Sequence, residues 1–150
     1  DADLTVAPET FMKFYRAIAS GKGEFINGTR LVYPMQRGAM QFLNTLANRI
    51  FAAIFSFLLD ERFTDTLCGT KVLSRRNYRR IADNRAYFGE LDPFGDFDLM
   101  FGAAKLGLKF VEIPVRYASR EYGTTQISRF RHGWMLIRMV ARAFLKLKAL

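Results

Sequence analysis

Helical and strand-like periods alternate along this chain from one end to the other. Apolar residues at helical spacing predict helices over residues 8–20, 38–59, 75–83, 96–106 and 133–150. Apolar runs bounded by turn residues predict strands over residues 24–34, 63–74 and 108–118. Because helices that separate strands pack on the faces of a sheet, the chain is predicted to be α/β.

Composition limits the chemistry available to the chain. The 150 residues are half hydrophobic, which suffices for the core of one domain or of a large part of one. A single cysteine, Cys68, excludes an internal disulfide framework, and a single histidine, His132, leaves few ligands for zinc. Any metal is therefore expected to be a hard cation on oxygen ligands. The net charge of +9 favours anionic partners, namely nucleotides, phosphate groups, lipid headgroups or nucleic acid.

Neither a signal peptide nor a membrane-spanning segment is predicted. The N-terminus is acidic, and the longest apolar run, residues 50–59, is shorter than the about 20 residues that span a bilayer. The chain is therefore predicted to be cytoplasmic, and either soluble or peripheral at the cytoplasmic face of a membrane.

The chain opens on two carboxylates, Asp1 and Asp3, followed by an apolar Leu-Thr-Val step. On an extended backbone, side chains at i and i+2 point to the same side, so this pair could hold a cation. The alternative is an acidic terminus with no ligand.

The long helix predicted over residues 38–59 carries one polar stripe on an otherwise apolar surface. Its members fall at i, i+3, i+4 and i+7: Gln41, Asn44, Thr45 and Asn48. The stripe is either a solvated face or a face turned toward a polar cleft beside Arg30 and Arg37.

Several short motifs follow the aspartate pair in order. They are NGTR (27–30), DTLCGTK (65–71), GDFDL (95–99), VEIPVRY (111–117) and a Gly/Thr/Ser loop with basic residues. This ordered set resembles the second half of a family 2 glycosyltransferase, particularly the dolichyl- or polyprenyl-phosphate sugar synthases. The resemblance implies that residues 1–150 are the C-terminal part of a GT-A (Rossmann-like) domain, with a mixed sheet flanked by helices. It also implies that the nucleotide-binding half of the domain is missing, so that the isolated chain could be inactive.

The resemblance assigns roles to the residues on the donor side. Asp3 is implied as the main ligand of Mg²⁺ or Mn²⁺, and Asp1 as a ligand near the metal and the ribose or sugar of a UDP- or GDP-sugar. Arg30 is implied as a phosphate contact, because a guanidinium can bind phosphate bidentately, and Arg37 is a second candidate, for the phosphate of the acceptor. The alternative for Arg30 is an ion pair with a carboxylate at the surface.

On the acceptor side, the resemblance singles out Asp96 and Asp98. If the acceptor is a hydroxyl, Asp98 is expected to act as general base. If it is a lipid phosphate, which is already ionised, Asp98 would position groups and balance charge. A carboxylate that stabilises the N-terminus of its own helix is the remaining alternative. Arg120 and Ser128, in the loop after the last strand, are implied as further phosphate contacts.

The final predicted helix, residues 133–150, is basic and amphipathic. Arg138, Arg142 and Lys146 lie at i, i+4 spacing, opposite an apolar face of four residues: Leu136, Val140, Phe144 and Leu147. Such a helix could lie on an anionic membrane surface. Equally, its apolar side could pack on the domain and leave the basic side in solvent.

Two classes of function remain open from the sequence. The first is metal-dependent sugar transfer from a UDP- or GDP-sugar, most plausibly to a polyprenyl phosphate, with a saccharide or protein hydroxyl as the alternative acceptor. The second is a non-catalytic basic module that binds membranes or nucleic acid. The aspartates argue for the enzyme, so nucleic acid is not expected as a partner. Exposed strand edges would also permit self-association.

Overall fold

The computed structural model describes residues 5–33, 42–84, 95–118 and 129–147. Five helices are seen: α1 Phe11–Ala19, α2 Phe42–Leu59, α3 Arg75–Asp83, α4 Asp96–Lys105 and α5 Arg129–Leu147. Three strands accompany them: β1 Phe25–Thr29, β2 Lys71–Leu73 and β3 Phe110–Pro114. A 3₁₀ turn over Pro8–Thr10 leads into α1. The alternation of helices and strands that the sequence predicts is confirmed.

The three strands form one mixed sheet in the order β2-β1-β3. β1 pairs with β3 in parallel, from Phe25 opposite Phe110 to Thr29 opposite Pro114, and with β2 in antiparallel. Every residue of β1 is buried, as expected of a central strand. The prediction of an α/β chain with a mixed sheet flanked by helices is confirmed.

Neighbouring residues of β1 enter different cores, because successive side chains in a strand point to opposite faces. Phe25 packs in the larger core, where Phe55 of α2 lies with its ring centroid 4.4 Å from that of Phe97 of α4. Ile26 packs in a smaller core with Phe14 of α1. The sheet therefore carries helices on both faces, with α2, α4 and α5 contributing to the core on one face and α1 on the other.

Local sequence signals fix several helix ends. Ser74 caps α3, since its hydroxyl accepts a hydrogen bond from the backbone N–H of Asn77. α4 begins after Gly95 and ends just before Gly107, whose φ angles of 74° and 63° lie in the left-handed region that glycine adopts without strain.

Several predicted boundaries differ from the structure. The strands expected over residues 24–34 and 108–118 are shorter, at Phe25–Thr29 and Phe110–Pro114. The strand expected over residues 63–74 is confined to Lys71–Leu73, because the backbone N–H groups of Thr64, Asp65 and Leu67 bond to side-chain carboxylates rather than to a neighbouring strand. The last helix begins at Arg129, ahead of the expected start near residue 133, since arginine is a good helix former.

Within the described ranges, no helix is both long enough and apolar enough to cross a membrane.

Candidate functional site

A cluster of buried and half-buried polar side chains lies where the parallel strands β1 and β3 end. Carboxyl ends of parallel strands meet at one edge of a sheet, which is where ligands bind in open α/β sheets. The cluster, named here the strand-end cluster, consists of Asn27, Thr29, Arg30, Asn48, Thr64, Asp65 and Glu112.

The centre of the strand-end cluster is an ion pair between Arg30 and Asp65. Arg30 Nε donates to Asp65 Oδ2 at 2.7 Å, and Nη2 donates to Oδ1 at 2.9 Å. The backbone N–H of Arg30 adds a third bond to Oδ2 at 3.0 Å. The Asp65 side chain is fully buried and that of Arg30 is 11% exposed. This bidentate geometry fixes the guanidinium plane at the edge of the sheet.

Both charges of the pair persist despite their burial. Burial by itself disfavours the charged form of either group, yet the hydrogen bonds and charge of the partner raise the pKa of Arg30 above its usual value. The same hydrogen bonds, with one from Asn48, hold the pKa of Asp65 below its usual range against burial. Asp65 therefore accepts hydrogen bonds as a carboxylate and has no oxygen left to offer a metal.

Helix α2 joins the cluster through Asn48. Its Nδ2 donates to Asp65 Oδ1 at 2.6 Å, and its Oδ1 accepts the backbone N–H of Thr66 at 3.3 Å. Asn48 is buried, so this member of the predicted polar stripe faces the Arg30 side of the domain rather than solvent. Gln41 and the side chain of Asn44 lie outside the described residues.

Glu112 of β3 holds the loop that carries Asp65. Its carboxylate accepts hydrogen bonds from the backbone N–H of Thr64 at 2.9 Å and of Asp65 at 3.3 Å. It also accepts from the Thr64 hydroxyl at 2.8 Å and from Asn27 Nδ2 at 3.2 Å. Glu112 thus positions Asp65, which in turn positions Arg30.

Glu112→Gln is expected to lower the free energy of unfolding by about 1–3 kcal/mol, because one acceptor oxygen becomes a donor that faces N–H groups. Thermal and urea unfolding measure the loss. Glu61→Gln, at an exposed position, serves as the matched control and should match the parent. Equal stability of the Glu112 variant would show that the loop does not depend on this carboxylate.

The aromatic ring of Tyr117 covers Arg30. The guanidinium carbon lies 5.1 Å from the ring centroid, at cation–π distance. The N-terminal end of the described chain runs beside the same tyrosine. Val6 forms a β-bridge with Tyr117, and the carbonyl oxygen of Thr5 accepts the backbone N–H of Ala118 at 2.9 Å. The start of the described chain therefore lies next to Tyr117, the residue whose ring covers Arg30.

Helix α4 brings two predicted site residues to the sheet. Asp96 and Asp98 both lie in its first turn, where carboxylates are stabilised by the helix dipole. Lys71 Nζ lies 3.0 Å from Asp96 Oδ1 and also donates to the carbonyl of Cys68. Lys71 lies on β2 and pairs with Asn27 of β1. The ion pair therefore joins the start of α4 to the sheet, on the strand next to β1. Asp98 is buried.

Other predicted site residues lie outside the described ranges: Asp1, Asp3, Arg37, Arg120 and Ser128. Within the described ranges, no three His, Cys, Asp or Glu side chains gather as a metal site. The cluster carboxylates of Asp65 and Glu112 are taken by hydrogen-bond donors, so they do not fit a metal. The carboxylates that the sequence predicts as metal ligands are those of Asp1 and Asp3, which lie outside the described ranges.

The chain was then compared with known proteins. It is 28% identical over 103 residues to glycosyltransferase AglJ of Haloferax volcanii, an alignment that covers 68% of this chain and 32% of AglJ. The chain thus spans about a third of the length of the curated relative it matches. No protein-family model matches it, and no solved structure does. The similarity supports a glycosyltransferase in general terms.

Sequence reasoning missed Glu112 and Asn27 as members of the cluster. A signal existed for each, because a lone glutamate interrupts the apolar strand FVEIP and a lone asparagine interrupts FINGT. Buried polar residues within strands require hydrogen-bond partners, so both pointed to a polar centre at this end of the sheet.

Proposed function

We propose that this chain carries part of a glycosyltransferase site, which transfers a sugar from a UDP- or GDP-sugar to a polyprenyl phosphate. The single observation that carries the proposal is the buried Arg30, fixed by Asp65 at the carboxyl end of β1. Its distant similarity to a glycosyltransferase supports the reaction class. A buried, preoriented guanidinium suits phosphate binding, because little side-chain entropy remains to be lost.

The guanidinium of Arg30 has N–H donors that Asp65 does not use and that could bind a phosphate. Nε and Nη2 bond to Asp65, while Nη1 has no hydrogen-bond partner among the described residues. Under this proposal Nη1 contacts a phosphate oxygen, with Arg37, Arg120 and Ser128 as further contacts from flanking segments. Asp65 acts through Arg30 and is a positioning residue.

Asp1 and Asp3 are proposed to hold Mg²⁺ or Mn²⁺, which when bound would neutralise charge on the departing diphosphate. The position of Thr5 beside Tyr117 supports this, because Tyr117 covers Arg30.

Asp98 and Asp96 are proposed to act on the acceptor. A phosphate acceptor is already ionised, so Asp98 orients it and balances the cationic residues instead of removing a proton. Asp96 fixes the start of α4 through Lys71.

A polyprenyl phosphate resides in a membrane, so the enzyme must reach the bilayer. We propose a peripheral position at its cytoplasmic face, with α5 at the surface. The exposed Arg138 and Arg142 suit anionic headgroups. Leu136, assigned to the apolar side of this contact by the sequence, is instead buried against the domain.

Asp3→Ala is expected to abolish binding of Mn²⁺ in the presence of UDP or GDP, because it removes the main carboxylate ligand. Isothermal titration calorimetry measures Mn²⁺ binding with and without each nucleotide. The matched control is Asp83→Ala, an exposed aspartate on α3. Absence of binding in this chain, but binding after extension at the N-terminus, would assign the nucleotide pocket to the added part. Absence from both would contradict a metal-dependent transferase.

A further inference from the structure

Helix α3 presents a dense face of positive charge to solvent. Four of its nine residues are exposed arginines, named here the α3 arginine face: Arg75, Arg76, Arg79 and Arg80. At about 100° of rotation per residue, they fall within about 140° of the helix circumference. The buried residues Asn77 and Ile81 lie on the opposite side. The charge is therefore collected on the side of α3 that points away from the core.

Packing at both ends fixes how α3 lies on the domain. Ile81 is buried in the larger core, where a Cβ added to Gly102 of α4 would lie 2.5 Å from its Cγ2 atom. At the other end, the Ser74 hydroxyl accepts the backbone N–H of Asn77 at 3.1 Å. Because the helix cannot rotate without breaking these contacts, the arginines keep one side toward solvent.

The α3 arginine face lacks counter-charges. Asp83, the last residue of the helix, is the one acidic residue of α3. Within the described ranges, no ion pair joins the face to a carboxylate, and Arg80 Nη1 makes one long hydrogen bond of 3.5 Å to Asn77 Oδ1. Like charges at i, i+4, such as Arg75 and Arg79, destabilise a helix. An anionic partner would relieve this repulsion.

The surroundings of the face indicate which anionic partner fits. Tyr78 flanks the arginines and is 52% exposed, and an aromatic ring with a hydroxyl is favoured at the boundary between lipid headgroups and water. The helix on which α3 packs, α4, carries Asp96 and Asp98 beside a single lysine. The two helices therefore do not line a continuous basic groove of the kind that follows a nucleic-acid backbone. A convex helix with long cationic side chains instead suits a flat anionic surface.

We infer that the α3 arginine face binds the headgroups of an anionic lipid bilayer. This inference rests on the part of the proposed function that puts the chain at a membrane surface, and it adds a contact outside α5. Each guanidinium offers several N–H donors to a headgroup phosphate. Helix α5 exposes two arginines, Arg138 and Arg142, against the four of α3. The larger electrostatic share of membrane binding is therefore expected from α3.

The test measures partition of the chain onto sedimented vesicles, without sugar donor or metal. One set of vesicles is an equimolar mixture of phosphatidylglycerol and phosphatidylcholine, and the other is phosphatidylcholine alone. The chain is expected to bind the anionic vesicles only. Binding should weaken as salt rises to about 1 M, where the Debye length falls to about 3 Å. Equal binding to both compositions would contradict an electrostatic contact.

Arg75→Gln combined with Arg79→Gln is expected to lower the partition coefficient on anionic vesicles by about tenfold to thirtyfold. Each basic residue near such a surface contributes about fivefold. The matched control, Lys13→Gln with Arg16→Gln, removes the same charge from exposed positions on α1 and should bind nearly as the parent does. Circular dichroism checks that both variants are folded. Equal binding by the α3 variant and the parent would overturn the inference.

Two further comparisons separate the competing partners. Loss of vesicle binding in Arg138→Gln with Arg142→Gln, but not in the α3 variant, would assign the contact to α5 and overturn the inference. A DNA duplex that binds more tightly than anionic vesicles, and depends on α3, would identify nucleic acid as the partner instead. Vesicle binding that depends on α3, without sugar transfer, would retain this inference and reject the proposed function. Transfer to polyprenyl phosphate, with vesicle binding unchanged in the α3 variant, would do the reverse.

Discussion

Asp65→Asn is expected to lower the free energy of unfolding by about 3–5 kcal/mol, because it leaves the buried guanidinium of Arg30 without its counter-charge. The carboxylate accepts hydrogen bonds from Arg30, Asn48 and the backbone of Leu67, and an amide can satisfy these donors only in part. Urea unfolding followed by circular dichroism measures the loss. Asp83→Asn, at the exposed end of α3, is the matched control and should change stability little.

A double variant separates the charge from the packing. Replacing both partners, as in Arg30→Met with Asp65→Leu, removes both buried charges, so it should recover most of the stability that Asp65→Asn loses. The double variant should nevertheless fail to transfer sugar, because Arg30 is the proposed phosphate contact. A loss below about 1 kcal/mol in Asp65→Asn would place the pair among weak surface ion pairs and contradict the buried geometry.

The same pair gives stability a defined dependence on pH. The pKa of Asp65 is lower in the folded state than in the unfolded chain, so the unfolded state binds the proton more readily. The contribution of Asp65 is thus complete above the ordinary Asp value of about 3.9 and is lost as pH falls below it toward the depressed pKa. Asp65→Asn should lack this part of the acid-induced loss of stability.

Asp98→Asn is expected to distinguish the two acceptor classes. If a hydroxyl is the acceptor, loss of the general base should lower kcat by about 10²–10⁴-fold. If the acceptor is a polyprenyl phosphate, as proposed, no proton needs to be removed and the loss should stay within about tenfold, the effect of one misplaced polar contact. The side chains are nearly isosteric, so the buried site keeps its packing.

Transfer of sugar to each acceptor, measured at saturating donor, gives the two values of kcat. The control is Asp83→Asn, which should keep parental rates with both acceptors. A loss beyond about 10²-fold with polyprenyl phosphate would identify Asp98 as a proton acceptor in that reaction and contradict its proposed positioning role. Thermal unfolding of the variant checks that the change lies in chemistry and not in folding.

Local sequence signals predict the helices and strands but not which of them pack together. The helix that becomes α3 follows a Ser cap, and α4 lies between two glycines, so both could be predicted within a residue or two. The sequence does not predict that the strand expected over residues 63–74 is confined to Lys71–Leu73. Its shortening depends on Glu112, which lies far along the chain and takes the backbone N–H groups of Thr64 and Asp65.

The site shows the same limit. Sequence motifs singled out Arg30 and Asp98, but not that Arg30 pairs with a fully buried Asp65. This pair depends on the tertiary approach of β1 and the loop after α2, which no local pattern encodes. On α5, helical spacing predicts an amphipathic helix but not which of its sides packs against the domain. Phe144 is exposed, while Met139 is buried in the core.

The most direct test is transfer of radiolabelled sugar from UDP- and GDP-sugars to a polyprenyl phosphate, in the presence of Mg²⁺ or Mn²⁺. The assay should use this chain and a form extended at its N-terminus, each compared with its Asp3→Ala variant. We expect a labelled lipid product from one class of donor, dependent on the metal and lost in Asp3→Ala. Absence of a labelled lipid from both forms with every donor, despite intact folding, would contradict the proposed function.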